Sequence, residues 1–199
     1  KFAITARPIN LTADVADKIY GDADPALSVT ITSGSLGATT VSDRLADVTG
    51  TLSRGAGETA GTYDIALGTG VKAANYLISY AADNDAFTIN RRAITLTADT
   101  ATKSYGQSDP TFGASLSSGT LGAVTVSDTL TDVTGTLSRE AGNNVGAYDV
   151  ELGSGAKAAN YTITFAADNN AFGVDHDPTV GDFRGLRRAR RWSAHCEFS

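Results

Sequence analysis

The side chains that could act as a nucleophile and its base lie near the carboxyl-terminal end of the chain. His195 and Cys196 are adjacent, the only other histidine is His176, and there is no second cysteine. A cysteine nucleophile needs a base oriented by a third group, and adjacent residues rarely converge on one substrate atom. All three residues also lie outside the repeated part of the sequence. We therefore predict no catalytic residue, no enzyme activity and no intrachain disulfide.

Two clusters of acidic and amide side chains could supply the oxygen ligands that Ca²⁺ prefers. They are Asp22 with Asp24, and Asp83 with Asn84 and Asp85. Neither spacing matches a complete calcium-binding loop, and the second copy of the repeat has Gln107 in place of Asp22 and Asn170 in place of Asp85. The glycines form no phosphate-binding pattern between a strand and a helix. These clusters are therefore interpreted as solvated turn residues, with no metal and no cofactor.

The charge of the chain argues against binding to nucleic acid. The net charge is -6, whereas a nucleic-acid binder must neutralise phosphates with clustered basic residues. Residues 1–176 hold 11 basic and 19 acidic side chains, but residues 177–199 hold 5 arginines and 3 acidic side chains. No apolar run is long enough to cross a bilayer. We expect neither a nucleic-acid partner nor membrane insertion.

The sequence contains one repeat written twice. Residues 7–90 align with residues 92–175 at a constant offset of 85 without a gap, and about 60% of the positions are identical. The longest shared runs include "DVTGTLSR" at 47–54 and 132–139. The opening residues 2–7 also match residues 87–92. We therefore predict a repeat at 7–90, a second at 91–175, and the last strand of a preceding repeat at 1–6.

Apolar and polar residues alternate within each copy, which is typical of strands with one buried face. Ile9, Leu11 and Ala13 show this pattern, and turn-forming glycine, proline, aspartate and asparagine residues separate such segments. We predict a mainly β fold with six or seven short strands per copy. Residues 42–47 could form at most one helical turn, with Ser42 as its cap. The junction at 86–99 has no proline or glycine, so the modules are expected to be arranged end to end without a flexible linker.

An ordered set of motifs occurs in both copies and resembles a known family. The set comprises "KIYGDADP" and "KSYGQSDP", then "GTLSR", then "GTYDI" or "GAYDV", and then "NYLI" or "NYTI". It is similar to the MBG domains of the YGX type, which are repeats of large bacterial exoproteins, including filamentous-haemagglutinin-like adhesins. The resemblance implies a β-grasp-like fold, with an Ig-like sandwich as the alternative. It implies no catalytic residue.

The family motif maps onto one segment of each copy. Our interpretation of these residues is structural: an aromatic anchor, a glycine turn and an Asp-Pro turn. They are Tyr20, Gly21, Asp24 and Pro25, and in the second copy Tyr105, Gly106, Asp109 and Pro110.

Residues 176–199 break the repeat where a third copy would begin. This segment contains the only tryptophan and the sequence "LRRARR". An alternative is a basic patch for a membrane surface or nucleic acid, but the abrupt change of composition favours a disordered tail. A shifted reading frame would explain the break, and the nucleotide sequence tests that idea.

Together these features predict a repeat region of a bacterial surface-bound or secreted adhesin. The expected role is a stalk or spacer that also acts as a weak multivalent adhesive module. Its partners would be neighbouring repeats of the same chain and an unidentified host or matrix ligand, of which a glycan is one candidate. The alternative is a carbohydrate-binding module attached to a secreted enzyme, which requires a row of exposed aromatic rings. Burial of Tyr20, Tyr63 and Tyr76 would contradict that alternative.

Overall fold

The computed structural model describes residues 3–176, and strands dominate it. Within that range the chain forms sixteen short strands and two five-residue α-helices, α1 (Leu45–Thr49) and α2 (Leu130–Thr134). The prediction of a mainly β fold in two tandem modules is confirmed. Each copy has eight strands, not the six or seven expected, because several pairings involve only two residues and leave little sequence signal.

The two copies contain the same elements in the same order. The strands of the first copy are β1 (Arg7–Ala13), β2 (Ala16–Ile19), β3 (Val29–Ser33), β4 (Ser53–Arg54), β5 (Gly61–Tyr63), β6 (Ile65–Ala66), β7 (Tyr76–Ser79) and β8 (Phe87–Asn90). Those of the second copy are β9 (Arg92–Ala98), β10 (Ala101–Ser104), β11 (Ala114–Ser118), β12 (Ser138–Arg139), β13 (Gly146–Tyr148), β14 (Val150–Glu151), β15 (Tyr161–Phe165) and β16 (Phe172–Asp175). A single 3-10 turn precedes β7 at Ala73–Asn75 and β15 at Ala158–Asn160.

Two parallel strand pairs, β1 with β7 and β2 with β8, define the first copy. In one sheet of order β3-β1-β7, β1 is antiparallel to β3 and parallel to β7. In a second sheet of order β2-β8-β5, β8 is parallel to β2 and antiparallel to β5. Strands β4 and β6 form a separate antiparallel pair. An Ig-like sandwich is built from antiparallel sheets, so the parallel pairs favour the β-grasp-like arrangement.

The second copy repeats this topology. Its sheets have the orders β11-β9-β15 and β10-β16-β13, and β12 pairs with β14. Strand β16 is parallel to β10 and antiparallel to β13, as β8 is to β2 and β5. The same strand order thus occurs in two copies that are identical at about 60% of positions.

The alternating residues form small separate cores. Ile9 and Leu11 of β1 pack with Val48 of α1 and Tyr76 of β7, so one face of the sheet is covered by the helix. In the second copy Val150, Phe172 and Val174 form a cluster with Ala171. Phe87 and Phe172 are fully buried at matching positions. Burial of every second residue removes apolar surface from water while leaving the other face of each strand solvated.

The segment expected to form at most a turn is instead a short helix. Its N-caps are Arg44 and Thr129, not Ser42 or its counterpart. Asp132 supplies a reason, because its carboxylate accepts the backbone N–H of Thr129 while the Thr129 hydroxyl accepts the N–H of Asp132. This reciprocal capping box stabilises the start of the helix. The weak helix propensity of the segment gave no indication of it.

Contacts in space divide the chain into two compact units. Unit 1 comprises the residues up to Leu96 together with Leu116–Thr136 and Ser154–Thr164. Unit 2 comprises Thr97–Ser115, Leu137–Gly153 and the described residues from Phe165 onward. Unit 1 therefore contains all of the first copy and part of the second. The predicted repeat boundaries rest on self-similarity, which this spatial division does not test, and they remain a prediction.

The ends of the predicted domain plan remain predictions too. Residues 3–6 form no strand, and the preceding repeat to which residues 1–6 were assigned is not part of the sequence. The predicted disordered tail lies outside the described residues, apart from the exposed His176. Among residues 3–176 there is no helix with the length and apolar character needed to cross a membrane.

Candidate functional site

The Tyr-Gly pair of the family motif occupies a tight turn directly after β2. The N–H of Asp22 donates to the carbonyl of Ile19 at 3.0 Å, which closes the turn. Gly21 is its third residue and has a φ of +87°. A positive φ at that position is the requirement of a type II turn, and glycine meets it without steric strain. The turn places the ring of Tyr20 next to residues of the second copy.

Tyr20 is buried by contacts with residues more than a hundred positions away. Only 1% of its surface is exposed. Its hydroxyl donates to the Asp128 carboxylate at 2.8 Å, and the Tyr161 hydroxyl donates to the same oxygen at 2.9 Å. The two tyrosine rings meet edge to face with centroids 5.5 Å apart, a geometry that adds to the energy of burial. All of these residues belong to unit 1.

Two further hydrogen bonds link backbone groups of the first copy to the second copy. The carbonyl of Gly21 accepts the N–H of Thr125 at 2.9 Å, and the Ala60 N–H donates to the Asn160 side chain at 2.9 Å. A Cβ placed on Gly21 would lie 2.8 Å from a methyl group of Val126. Only glycine fits this close approach. Two polar backbone groups thus find partners in the other copy.

We call this contact the joint, and it has two faces. The tyrosine face comes from the first copy and consists of Tyr20, Gly21 and Ala60. The asparagine face comes from the second copy and consists of Thr125, Val126, Asp128, Asn160 and Tyr161.

Arg92, the first residue of β9, also stabilises the joint. Its Nε donates to the Tyr20 carbonyl at 2.8 Å, and its guanidinium pairs with Asp22. Burial, with the Asp128 carboxylate beside it, raises the pKa of Tyr20 to about 12 because both disfavour the phenolate. Tyr20 therefore acts as a neutral hydrogen-bond donor.

The same motif in the second copy has different surroundings. Tyr105 is 54% exposed, although the turn is again closed, by the Gln107 N–H donating to the Ser104 carbonyl at 3.1 Å. Gly106 keeps a positive φ of +84°. No atom of the described residues lies within 4 Å of a Cβ placed on it. The conformation of the Tyr-Gly turn is thus independent of whether a partner covers it.

The Asp-Pro part of the motif holds an arginine in both copies. Asp24 accepts two hydrogen bonds from the Arg54 guanidinium, at 2.7 Å to Nε and 3.2 Å to Nη2. The guanidinium carbon also lies 5.1 Å from the centre of the Phe87 ring and 5.3 Å from that of Tyr63. Such a planar, two-pronged pair over aromatic rings is specific for arginine. We call this group the arginine cluster.

The second copy reproduces the arginine cluster within unit 2. Arg139 donates to Asp109 at 2.8 Å and 3.2 Å and lies over the rings of Phe172 and Tyr148. Lys103 adds a second cation at 2.6 Å from Asp109. These two cations lower the pKa of Asp109 to about 2, Arg139 being the larger cause. Arg54 is likewise the main cause of the lowered pKa of Asp24.

An open groove of about 900 Å³ adjoins the arginine cluster of the first copy. Residues 24–29, 45–46 and 49–58 line it, and none of these lining residues is aromatic. Tyr20 and Tyr76 are buried, and Tyr63 is half-buried beside Arg54. The described residues therefore lack the row of exposed rings that the carbohydrate-binding alternative requires. Tyr105 is the exposed tyrosine among them.

The acidic and amide residues singled out in the sequence serve local structure. Asp24 binds Arg54 and Lys18. The Asn84 side chain accepts the N–H of Ile65 at 2.9 Å, and Asp64 accepts the N–H groups of Asn84 and Asp85. The second copy repeats this arrangement around Asn169. Within residues 3–176, no three His, Cys, Asp or Glu side chains cluster as a metal site would require.

The sequence identified one side of the joint and missed the other. Tyr20 and Gly21 were marked by the motif, but Asp128, Asn160 and Arg92 were not. One available signal was identity between the copies: Asp128, Asn160 and Arg92 match Asp43, Asn75 and Arg7. Polar residues retained through duplication with so much substitution around them indicate a shared contact. Their partner in space could not be read from the sequence.

Comparison with known families agrees with the motif. The family model described as MBG domain (YGX type) matches residues 9–88 and, separately, residues 94–171. No curated protein and no solved structure gives a significant match to the chain. The resemblance seen in the motifs is confirmed, and the matches cover most of the chain. The chain belongs to the MBG domain (YGX type) family and contains two tandem copies of that domain.

Proposed function

We propose that this repeat region acts as a non-catalytic spacer in a bacterial protein that is exposed at the cell surface or secreted. The spacer holds an adhesive region of the parent protein away from its point of attachment. The observation that carries the proposal is the joint, because the most characteristic residues of the family motif are used to hold one copy against the next. Residues that are buried in such internal contacts are not available to a ligand.

Binding assays on the two-repeat chain beside its full-length parent test the spacer role. We expect the parent to bind host cells or a glycan array, and the two-repeat chain to bind neither. Binding by the chain alone would contradict a pure spacer and favour a weak adhesive module. If that binding were to a glycan and were lost in Tyr105→Ala, the carbohydrate-binding alternative would be supported instead, since Tyr105 is exposed.

Amide hydrogen exchange tests the coupling of the copies on which the proposal depends. The N–H of Thr125 donates to Gly21 across the joint, so we expect it to exchange slowly. Thr40 is its counterpart in the first copy and serves as an internal control that exchanges faster. Tyr20→Ala should remove the protection of Thr125 and leave Thr40 unchanged. Equal protection of the two amides in the unmodified chain would contradict the coupling.

A further inference from the structure

Each face of the joint is present twice in the chain but is used once. The tyrosine face of the first copy and the asparagine face of the second copy bury each other. The tyrosine face of the second copy comprises Tyr105, Gly106 and Val145, and the asparagine face of the first comprises Thr40, Val41, Asp43, Asn75 and Tyr76. These remaining faces have complementary chemistry because each is the repeat of one side of a contact already formed.

The second tyrosine face is exposed in the conformation that the joint requires. Tyr105 is 54% exposed and Val145 is 43% exposed. Gly106 has the φ of +84° that corresponds to +87° at Gly21. A turn that is already formed needs little ordering when a partner arrives, and such preorganisation favours binding.

The first asparagine face is also built in advance. The Tyr76 hydroxyl donates to Asp43 at 2.7 Å and accepts the Gly37 N–H at 2.9 Å, as Tyr161 does with Asp128 and Gly122 at 2.9 Å each. The Ala38 N–H donates to the Val41 carbonyl at 2.9 Å, as the Ala123 N–H does to the Val126 carbonyl at 2.9 Å. In the first copy the Val41 N–H also donates back to Ala38, at 3.2 Å.

Two residues of the first asparagine face are more exposed than their counterparts in the joint. Val41 is 52% exposed, while its counterpart Val126 is half-buried under Gly21. Asn75 is exposed, and its counterpart Asn160 is only 4% exposed. The first asparagine face therefore presents the exposed valine and asparagine of the joint. Its Asp43 carboxylate differs from Asp128 in that it also pairs with Lys72, at 2.5 Å.

We infer that two copies of this chain associate head to tail, with the tyrosine face of one seated on the asparagine face of the other. Tyr105 of one molecule donates to Asp43 of the other, the Gly106 carbonyl accepts the Thr40 N–H, and the Val145 N–H donates to Asn75. The two faces are different surfaces, so the contact is heterologous and each bound molecule leaves one face of each kind for the next. This inference does not depend on the spacer role.

The intermolecular contact is expected to be weaker than the joint. Gln107 replaces Asp22 and Asn143 replaces Glu58, so the ion pair with Arg92 and the contact of Glu58 with Thr125 have no charged equivalent. The joint also forms within one chain, where a short connection gives an effective concentration on the order of 1 mM. Association between chains therefore depends on protein concentration.

Sedimentation velocity of the full chain, over concentrations up to about 1 mM and with a reductant to keep Cys196 reduced, tests the inference. We expect the unmodified chain to form dimers and larger species as concentration rises. Tyr105→Ala removes one face and Val41→Arg blocks the other, and each should raise the dissociation constant at least about tenfold. Val15→Arg is the matched control, since Val15 is 85% exposed and contributes to neither face.

A mixture of the Val41→Arg and Tyr105→Ala chains gives the decisive result. The Val41→Arg chain keeps its tyrosine face and the Tyr105→Ala chain keeps its asparagine face, so an equimolar mixture should form a one-to-one dimer and stop there. Monomers at every concentration of the unmodified chain would overturn the inference. So would association of either variant at the unmodified strength, or a mixture that remains monomeric while circular dichroism shows both variants folded.

Discussion

The two copies of the Tyr-Gly-x-x-Asp-Pro motif show that one motif contains two parts with different tasks. The Asp-Pro part makes the same contact in both copies, where Asp24 and Asp109 each bind an arginine that lies over a phenylalanine ring. The Tyr-Gly part does not, because Tyr20 is 1% exposed and Tyr105 is 54% exposed. The first part therefore stabilises the module in which it lies, and the second depends on a neighbour.

This comparison is tested most strongly by removing each tyrosine in turn. We expect Tyr20→Ala to lower the free energy of unfolding by about 3 kcal/mol, because it opens a cavity and breaks a buried hydrogen bond to Asp128. Tyr105→Ala should change it by less than about 0.5 kcal/mol, as is usual for an exposed side chain. Urea denaturation at low protein concentration measures both. Equal losses would show that the motif acts identically in the two copies.

Removing the arginines should affect both copies alike. We expect Arg54→Gln to lower the free energy of unfolding by about 2 kcal/mol, because it leaves two carboxylates and two ring faces without their cation. Arg139→Gln should lower it as well, because it leaves the Asp109 carboxylate and two ring faces without theirs. Arg91→Gln is a control, since Arg91 is exposed. The same denaturation experiment measures these changes. A large loss in one copy alone would contradict the assignment of this part of the motif to the individual module.

The glycines give a smaller but more specific comparison. Gly21 and Gly106 share the left-handed backbone, in which an alanine costs about 1 kcal/mol. Gly21→Ala also brings a methyl group against Val126, so we expect it to destabilise the chain by about 1 kcal/mol more than Gly106→Ala. The difference between the two unfolding free energies isolates the contact from the turn. A difference near zero would mean that Val126 yields without cost.

Acid titration tests the arginine cluster of the second copy. Of these predictions it has the smallest expected effect. The pKa of Asp109 is lowered from 3.8 to about 2 by Arg139 and Lys103. The stabilisation by its carboxylate is therefore complete above pH 3.8 and is lost as the pH falls towards 2. Carbon NMR of the Asp109 carboxyl group follows this titration directly. In Arg139→Gln the midpoint should move up towards 3.8, and an unchanged midpoint would contradict the assigned cause.

The local pattern of the fold could be predicted from the sequence because it depends on near neighbours. Ile9, Leu11 and Ala13 are all buried, as their alternation with polar residues indicates. The helix cap was predicted incorrectly, since the N-cap of α1 is Arg44 and not Ser42. Strands of two residues, such as β4 and β6, leave no periodic pattern at all.

The joint could not be predicted because its two faces are far apart in the chain. Tyr20 and Asp128 are separated by 108 positions, and no local rule links them. Identity between the copies marked both residues as retained but did not pair them. Only the arrangement in space distinguishes Tyr20, which has a partner, from the sequence-identical Tyr105.

The parallel pairing of β1 with β7 and of β2 with β8 has a mechanical consequence. Strand β1 begins at Arg7 and runs parallel to β7, and strand β8 ends at Asn90 and runs parallel to β2. A pull applied at those two points draws the strands past one another along their length. The hydrogen bonds of each ladder are then sheared together instead of being unzipped singly. A module pulled through its neighbours in the chain would therefore be loaded along the length of its strands.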